Sequence, residues 1–163
     1  MSAQLIIVCM KKLVQVHRTF NDLAEEKTVS LTKGDISHLR SLLQKESAIL
    51  KQLQQLEQER ARLVRFFING KGLVTEGGTL NELIPHVTNE EKEELVSLQK
   101  DLIEQIEILK KKNELNQQLI QDSLRFVNLS LDVLQPELDT GNYGRPNTDD
   151  DEPMGRSLFD SKA

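Results

Sequence analysis

Along the first 135 positions of the chain, apolar residues recur at alternating spacings of three and four, the pattern of helices that pack along a coiled-coil seam. The pattern predicts a first helix over about residues 3–31, a second over about 36–68 and a third over about 88–135. The seam of the first helix comprises Ile6, Cys9, Leu13, Val16, Phe20, Leu23 and Lys27. We therefore predict an all-α fold: an elongated antiparallel helical bundle or coiled coil of three long helices.

Local signals mark the ends of these helices. Gly34 can take the left-handed conformation that closes a helix, and Asp35 can cap the helix that follows. Thr88 and Glu91 have the spacing of a capping box at the start of the third helix. Between the second and third helices, residues 70–78 contain four glycines. We expect residues 69–87 to be a flexible connector, with a single helical turn near 80–84 and a small β flap as an alternative.

Two charged residues interrupt the seam of the second helix. The seam comprises Leu39, Leu42, Glu46, Ile49, Leu53, Leu56, Arg60, Leu63 and Phe67. Glu46 and Arg60 are separated by ~21 Å along a helix, so they cannot pair with each other. Either both lie at the edge of the seam with their charged ends in water, or each meets a polar partner on a neighbouring helix and sets the register of packing.

The third helix changes character at Asn113 and Asn116. Its seam is apolar at Leu95, Leu98, Leu102, Ile106 and Leu109, polar at the two asparagines, and apolar again from Ile120. A buried asparagine in a seam specifies register or partner number. Alternatively, the helix leaves its own bundle at this point, where a polar seam costs little. Both interpretations place a boundary here, with intramolecular packing upstream and a different environment downstream.

Downstream of this boundary, apolar residues lie on more than one side of the helix. Ile120, Val127, Leu131 and Leu134 extend the upstream stripe, while Leu119, Phe126 and Val133 form a second line at seven-residue spacing. A helix that is apolar on two faces needs two sets of neighbours. If left uncovered, these faces would exceed the apolar patch that soluble monomers tolerate. We therefore expect residues 119–134 to meet a partner, either a second copy of the chain or a client protein.

Charge is distributed unevenly along the 163 residues, which suffice for one ordinary domain. The chain has a net charge of -5, and the segment from Pro136 onward contains seven acidic and three basic residues. The helical body, residues 1–135, is therefore almost neutral, which gives no support for nucleic-acid binding. Glycine, proline and acidic residues mark 136–163 as an acidic, disordered tail.

Few residues of the sequence are candidates for catalysis or metal binding. The three histidines have no ligand-like spacing, and the acidic run 90–94 is explained by the positive end of a helix dipole. We expect no enzyme activity, no metal site and no cofactor, and we expect Cys9 to be a small buried hydrophobe. No run approaches the roughly 20 apolar residues of a membrane helix, and residues 5–8 lack the features of a signal peptide. These features predict a soluble, cytoplasmic protein without membrane insertion.

Three stretches resemble FlgN, the export chaperone of bacterial flagellar hook-associated proteins, in its Gram-positive form. They are LAEEKTVSLTKGD at 23–35, ISHLRSLLQKESAILKQLQQLEQER at 36–60 with Glu46 and Arg60 in its seam, and NELNQQLIQDSLRFVNLSLDVL at 113–134. The resemblance covers about residues 5–135. It implies a chaperone that holds FlgK-like and FlgL-like junction proteins, prevents their premature assembly and delivers them to the flagellar type III export gate.

The resemblance also implies a location for client binding, because the C-terminal part of such chaperones is the usual client surface. On this chain, that surface comprises Leu119, Ile120, Leu124, Phe126, Val127, Leu131 and Leu134. Two alternatives stay open. One is a self-assembling coiled-coil scaffold or adaptor whose last helix forms a homodimer, with Asn113 and Asn116 setting the register. The other is a prefoldin-type holdase, in which the segment 69–78 would have to form the β-hairpins, although it is too short to build a barrel.

Overall fold

The structure, a computed structural model, describes residues 2–134 and places most of them in four α-helices. These are α1 (Gln4–Lys33), α2 (Ile36–Gly70), α3 (Leu80–Leu83) and α4 (Asn89–Leu134), with a 3-10 turn at Ile84–His86. The all-α prediction is confirmed, and none of the described residues is a strand. The three predicted long helices correspond to α1, α2 and α4, and α3 adds a short fourth. The predicted tail, 136–163, lies outside the described residues.

The chain divides into two units, residues 1–125 and the segment from Phe126 onward. Residues 126–134 of the second unit are described, and they form the end of α4. The helix contacts described below belong to the first unit.

Predicted capping signals are present at each helix end that we assigned from them. Gly34 closes α1 with φ 69°, and its N–H and that of Asp35 donate to the carbonyls of Leu31 and Ser30. The Asp35 carboxylate accepts the N–H of His38 at the start of α2. At α4, the Glu91 N–H donates to Thr88 Oγ1 while the Thr88 N–H donates to Glu91 Oε2, which completes the capping box.

The central helix of the first unit is α1, which contacts α2 on one side and α4 on another. It runs antiparallel to α2, because Cys9 contacts the Leu56 carbonyl while Lys27 pairs with Glu46. It runs parallel to α4, because the Ala3 N–H donates to Glu91 while Asn21 bonds to Gln105. Inside the bundle, α1 is therefore the helix that has neighbours on two of its sides.

Two apolar clusters hold this bundle together. The larger combines Ile7 and Met10 of α1 with Ile68 of α2, Leu83 of α3 and Leu95 of α4. The smaller, further along α1, combines Phe20, Leu23 and Ala24 with Leu42 of α2 and Leu109 of α4. These apolar clusters include residues of the last helix as far as Leu109.

The predicted connector contains more regular structure and hydrogen bonding than its glycine content indicated. Asn69 and Gly70 extend α2, and residues 80–86 are helical. The Glu82 carboxylate accepts hydrogen bonds from the Thr75 hydroxyl, the Thr79 hydroxyl and N–H, and the Glu76 N–H, and these bonds lower its pKa to about 2. One carboxylate thus ties the loop to the start of α3. The flexibility of 69–87 stays a prediction.

Candidate functional site

The predicted boundary in α4 contains one buried and one exposed asparagine. Asn116 is 2% exposed; its Nδ2 donates to the Ala24 carbonyl at 3.0 Å, and its Oδ1 accepts the Thr28 hydroxyl at 2.5 Å. Asn113, one turn earlier, is exposed. Asn116 is the last fully buried residue of α4 in the described chain, and Leu119, further along the helix, is half-buried.

The contact between α1 and α4 becomes polar towards this boundary. The Asn21 amide donates to the side chain and the carbonyl of Gln105 at 2.9 and 3.0 Å. Lys112 donates to the Asn21 carbonyl at 3.2 Å and lies 3.3 Å from the Glu25 carboxylate. Hydrogen bonds between the two helices therefore lie on both sides of the apolar contact that Leu109 makes.

Glu46 meets a polar partner on a neighbouring helix. Its Oε2 lies 2.7 Å from the Lys27 Nζ of α1, and both side chains are largely buried. This corresponds to the interpretation in which the charge pairs across the seam. Lys27 was a predicted seam position of the first helix, as Glu46 was of the second. The two charged seam residues Lys27 and Glu46 therefore lie opposite each other.

Arg60 has a different environment. Its guanidinium pairs with Glu57 on the same helix at 2.6 Å and donates to the Gly78 carbonyl at 3.1 Å. The side chain is 14% exposed. Arg60 therefore connects α2 to the loop before α3 and not to another long helix.

The predicted partner-binding residues lie along the end of α4. In the first unit, Leu119 is half-buried, and Ile120 and Leu124 are exposed. In the second unit the predicted residues are all exposed, from 51% for Val127 to 71% for Phe126. Leu129 and Val133 in the same segment are exposed as well. The stretch is rich in large apolar side chains that the described chain does not cover.

One prediction for α4 needs correction. Ile106 was assigned to the buried seam, but it is 45% exposed, and its neighbour Ile103 is 52% exposed. Both line an open recess of about 250 Å³ between α2 and α4, together with Glu57 of α2. Their side chains stay uncovered because this recess lies open between them and α2. A search of the sequence for apolar positions three or four residues apart would have identified Ile103 and Ile106 as a second apolar line on α4.

The groups in residues 2–134 that sequence reasoning considered for chemistry are the histidines, the acidic side chains and Cys9. No three histidine, cysteine, aspartate or glutamate side chains of this part are placed to hold a metal ion. Burial raises the pKa of the Cys9 thiol and lowers the pKa of His17. Within the same residues, no helix is both long and apolar enough to span a bilayer.

Comparisons with known proteins extend over nearly the whole chain. The model of a family described as FlgN protein matches residues 1–149. The uncharacterised protein YvyG of Bacillus subtilis (strain 168) is 34% identical over 164 residues, which cover 100% of both chains. No solved structure matches.

Proposed function

The chain belongs to the FlgN family, and we propose that it is a cytoplasmic chaperone of flagellar protein export. Its proposed clients are hook-associated proteins of the hook–filament junction, FlgK-like and FlgL-like, which it holds before they reach the type III export gate. The observation that carries this proposal is the uncovered apolar surface of α4 beyond Asn116.

The proposed client surface comprises Leu119, Ile120, Leu124, Phe126, Val127, Leu131 and Leu134. Soluble monomers rarely leave a contiguous apolar patch of more than a few hundred Å² open to water. Side chains of this size on successive turns of one helix suit an amphipathic helix, which presents anchors at spacings of three, four and seven residues. A client helix of that kind would exchange water-exposed apolar area on both proteins for mutual contact.

The mechanism that follows is the covering of a client segment, and it involves no chemical reaction. A client's amphipathic segment on α4 would be unavailable for assembly with other subunits, while the rest of the client stays free to engage the export gate. Release at the gate requires only moderate affinity, because each tenfold increase in affinity adds about 1.4 kcal/mol to the cost of separation. No catalytic group, cofactor or metal takes part in this scheme.

Two point variants test the proposed surface. Phe126→Asp and Leu131→Asp place a charge on exposed residues of α4, so the buried clusters of the bundle are not touched. In co-expression pull-downs with each of the two junction proteins, we expect both variants to lose the client while circular dichroism shows unchanged helix content. Full client binding by a folded variant would remove these residues from the surface.

Light scattering separates the chaperone from a scaffold. The chaperone should form a 1:1 complex with a hook-associated protein. A tight assembly of this chain that ignores both junction proteins would instead support a self-assembling scaffold.

A further inference from the structure

The contact between α1 and α4 has the same register at both of its ends. The Ala3 N–H donates to Glu91, and the Thr28 hydroxyl donates to Asn116; in each pair the two residues are 88 positions apart. Between these ends, positions on both helices alternate at spacings of four and three residues and form an inner seam within the first unit. Its layers are Ile7 with Leu95, Met10 with Leu98, Val14 with Leu102, His17 with Gln105, Asn21 with Leu109, Ala24 with Lys112 and Thr28 with Asn116.

The inner seam changes from apolar to polar after its third layer. In the first three layers, Ile7, Met10 and Leu95 are buried in the larger apolar cluster, and Leu98 and Leu102 pack against it. Each of the four later layers contains at least one polar side chain. Beyond Leu102, the one apolar side chain of α4 that is fully buried in the described chain is Leu109. The second half of the seam therefore holds α4 mainly through polar contacts.

Two polar atoms in this second half are buried without a partner. The ring Nδ1 of His17 and the side-chain Oδ1 of Asn21 are shielded from solvent and have no hydrogen-bond partner among the described residues. The two side chains lie one turn apart on α1. A buried polar atom that lacks a partner costs free energy, which water returns when the atom becomes accessible. The closed second half of the seam therefore carries a desolvation cost that its apolar first half does not.

The opposite side of α1 is held differently at the same level. Phe20 and Leu23 pack with Leu42 of α2 in the smaller apolar cluster, and Lys27 pairs with Glu46 of α2. These contacts join α1 to α2 without residues of α4. The second half of α1 would therefore stay in place on α2 if α4 separated from it.

We propose that residues 105–124 of α4 separate from α1 as one unit in the folded protein without a client, while α1, α2 and residues 89–102 of α4 stay packed. Proteins open locally where buried apolar contacts are few. The hinge is the boundary between Leu102 and Gln105, where the apolar half of the inner seam ends. Separation would uncover Leu109, which precedes the client surface on the same helix, so a client could contact a longer stretch of α4; this consequence rests on the proposed function.

Amide hydrogen exchange of the full chain, measured by NMR without a client, tests the opening. A helix that has lost its tertiary contacts is marginal in water, so its amides exchange when it separates. We expect amides 105–124 to be protected about 100-fold less than amides 93–102, with a step between Leu102 and Gln105. Amides 17–31 of α1, at the same level of the bundle, are the internal control and should keep the higher protection.

Three exchange patterns would overturn the proposal. Equal protection on both sides of Leu102 would show that the polar half of the seam is as stable as the apolar half. A gradual decline in protection along α4 would indicate fraying of a helix end and not the opening of a unit. Equally low protection of amides 17–31 and 105–124 would show that α1 and α4 open together.

A paired substitution tests whether the polar layers cause the opening. Asn21→Leu combined with Gln105→Leu replaces two hydrogen-bonded partners by apolar side chains, a change that is neutral or stabilising when both partners are replaced. We expect the protection of amides 105–124 to rise by about 10-fold or more relative to amides 93–102. An unchanged step would contradict the proposal.

Arg18→Leu combined with Glu104→Leu is the matched control. Both residues are exposed, lie on the same two helices and add the same leucines, and the pair leaves the net charge unchanged. The control should keep the exchange pattern of the wild type. An equal rise in protection in both paired variants would attribute the effect to the added leucines and refute the role of the inner seam.

The opening and the chaperone function can fail separately, because the exchange measurement contains no client. A step at Leu102 in a chain that retains neither junction protein in the pull-down would support the opening and refute the chaperone. Client binding by a chain that shows no step would refute the opening and leave the chaperone proposal standing.

Discussion

Replacing Asn116 by alanine should weaken the attachment of α4 to α1. The substitution removes the amide that donates to the Ala24 carbonyl and accepts the Thr28 hydroxyl, at a position that is 2% exposed. A net hydrogen bond contributes about 0.5–1.5 kcal/mol, and leaving a buried polar group without a partner costs about 1–3 kcal/mol. We therefore expect the free energy of unfolding to fall by about 2 kcal/mol.

Asn113→Ala is the matched control. Asn113 is exposed and lies one turn away on the same helix, so it gains the same helix propensity without losing a buried hydrogen bond. Its effect should stay within about 0.5 kcal/mol. The difference between the two variants therefore isolates the contacts of Asn116 from the propensity of alanine.

Urea unfolding followed by circular dichroism measures both free energies, and hydrogen exchange locates the change. For Asn116→Ala, we expect faster amide exchange in α4 around residues 109–120, while the amides of the larger apolar cluster keep their protection. Equal stability of the two variants would refute the reasoning, because it would show that Asn116 does not hold α4 to α1.

Three further predictions concern the packing of the helices and the loop. Lys27→Met should destabilise the fold by about 1–3 kcal/mol because it leaves Glu46 largely buried without its partner, and adding Glu46→Leu should recover most of that loss in thermal unfolding. The pKa of Glu82 is lowered to about 2, so the stability that its ionised form contributes is complete above about pH 5 and is lost as the pH falls towards 2. The difference in unfolding free energy between the wild type and Glu82→Gln should therefore shrink between about pH 5 and about pH 2 and stay constant above about pH 5. Gly78→Ala should cost about 2–4 kcal/mol in urea unfolding, because φ is +67° and the new Cβ would lie 2.8 Å from the Ala61 carbonyl oxygen, whereas Gly72→Ala meets no atom within 4 Å and should cost about 1–2 kcal/mol.

The sequence was sufficient to predict the long helices and their ends. Seam periodicity and capping chemistry act within a few residues of each position, so Gly34, Asp35 and Thr88 could be interpreted without knowledge of the tertiary structure. The same holds for the change of character at Asn113 and Asn116, although the sequence could not distinguish which of the two is buried. That distinction depends on the rotation of α4 against α1, which places Asn116 against Ala24.

Other features depend on contacts that no local pattern reveals. The rotation of α4 in the bundle determines that Ile106 stays exposed, although the sequence pattern placed it in one seam with Leu102 and Leu109. The position of α1 between α2 and α4 could not be predicted either. Ile7, Met10 and Val14 are buried beside the predicted seam of α1, but in the sequence they resemble part of one wide apolar face. The structure of the loop before α3 was not predicted because glycine content indicates freedom of the backbone, whereas the Glu82 carboxylate accepts hydrogen bonds from Thr75, Glu76 and Thr79, three to seven residues earlier in the chain.

The client surface on α4 is tested most directly by calorimetric titration of a hook-associated protein into two matched variants, Phe126→Asp and Phe66→Asp. Both replace an exposed phenylalanine by the same charge, one within the proposed client surface and one on α2. Our account predicts that Phe126→Asp abolishes measurable binding while Phe66→Asp binds like the wild type. Equal binding by the two variants would contradict the account.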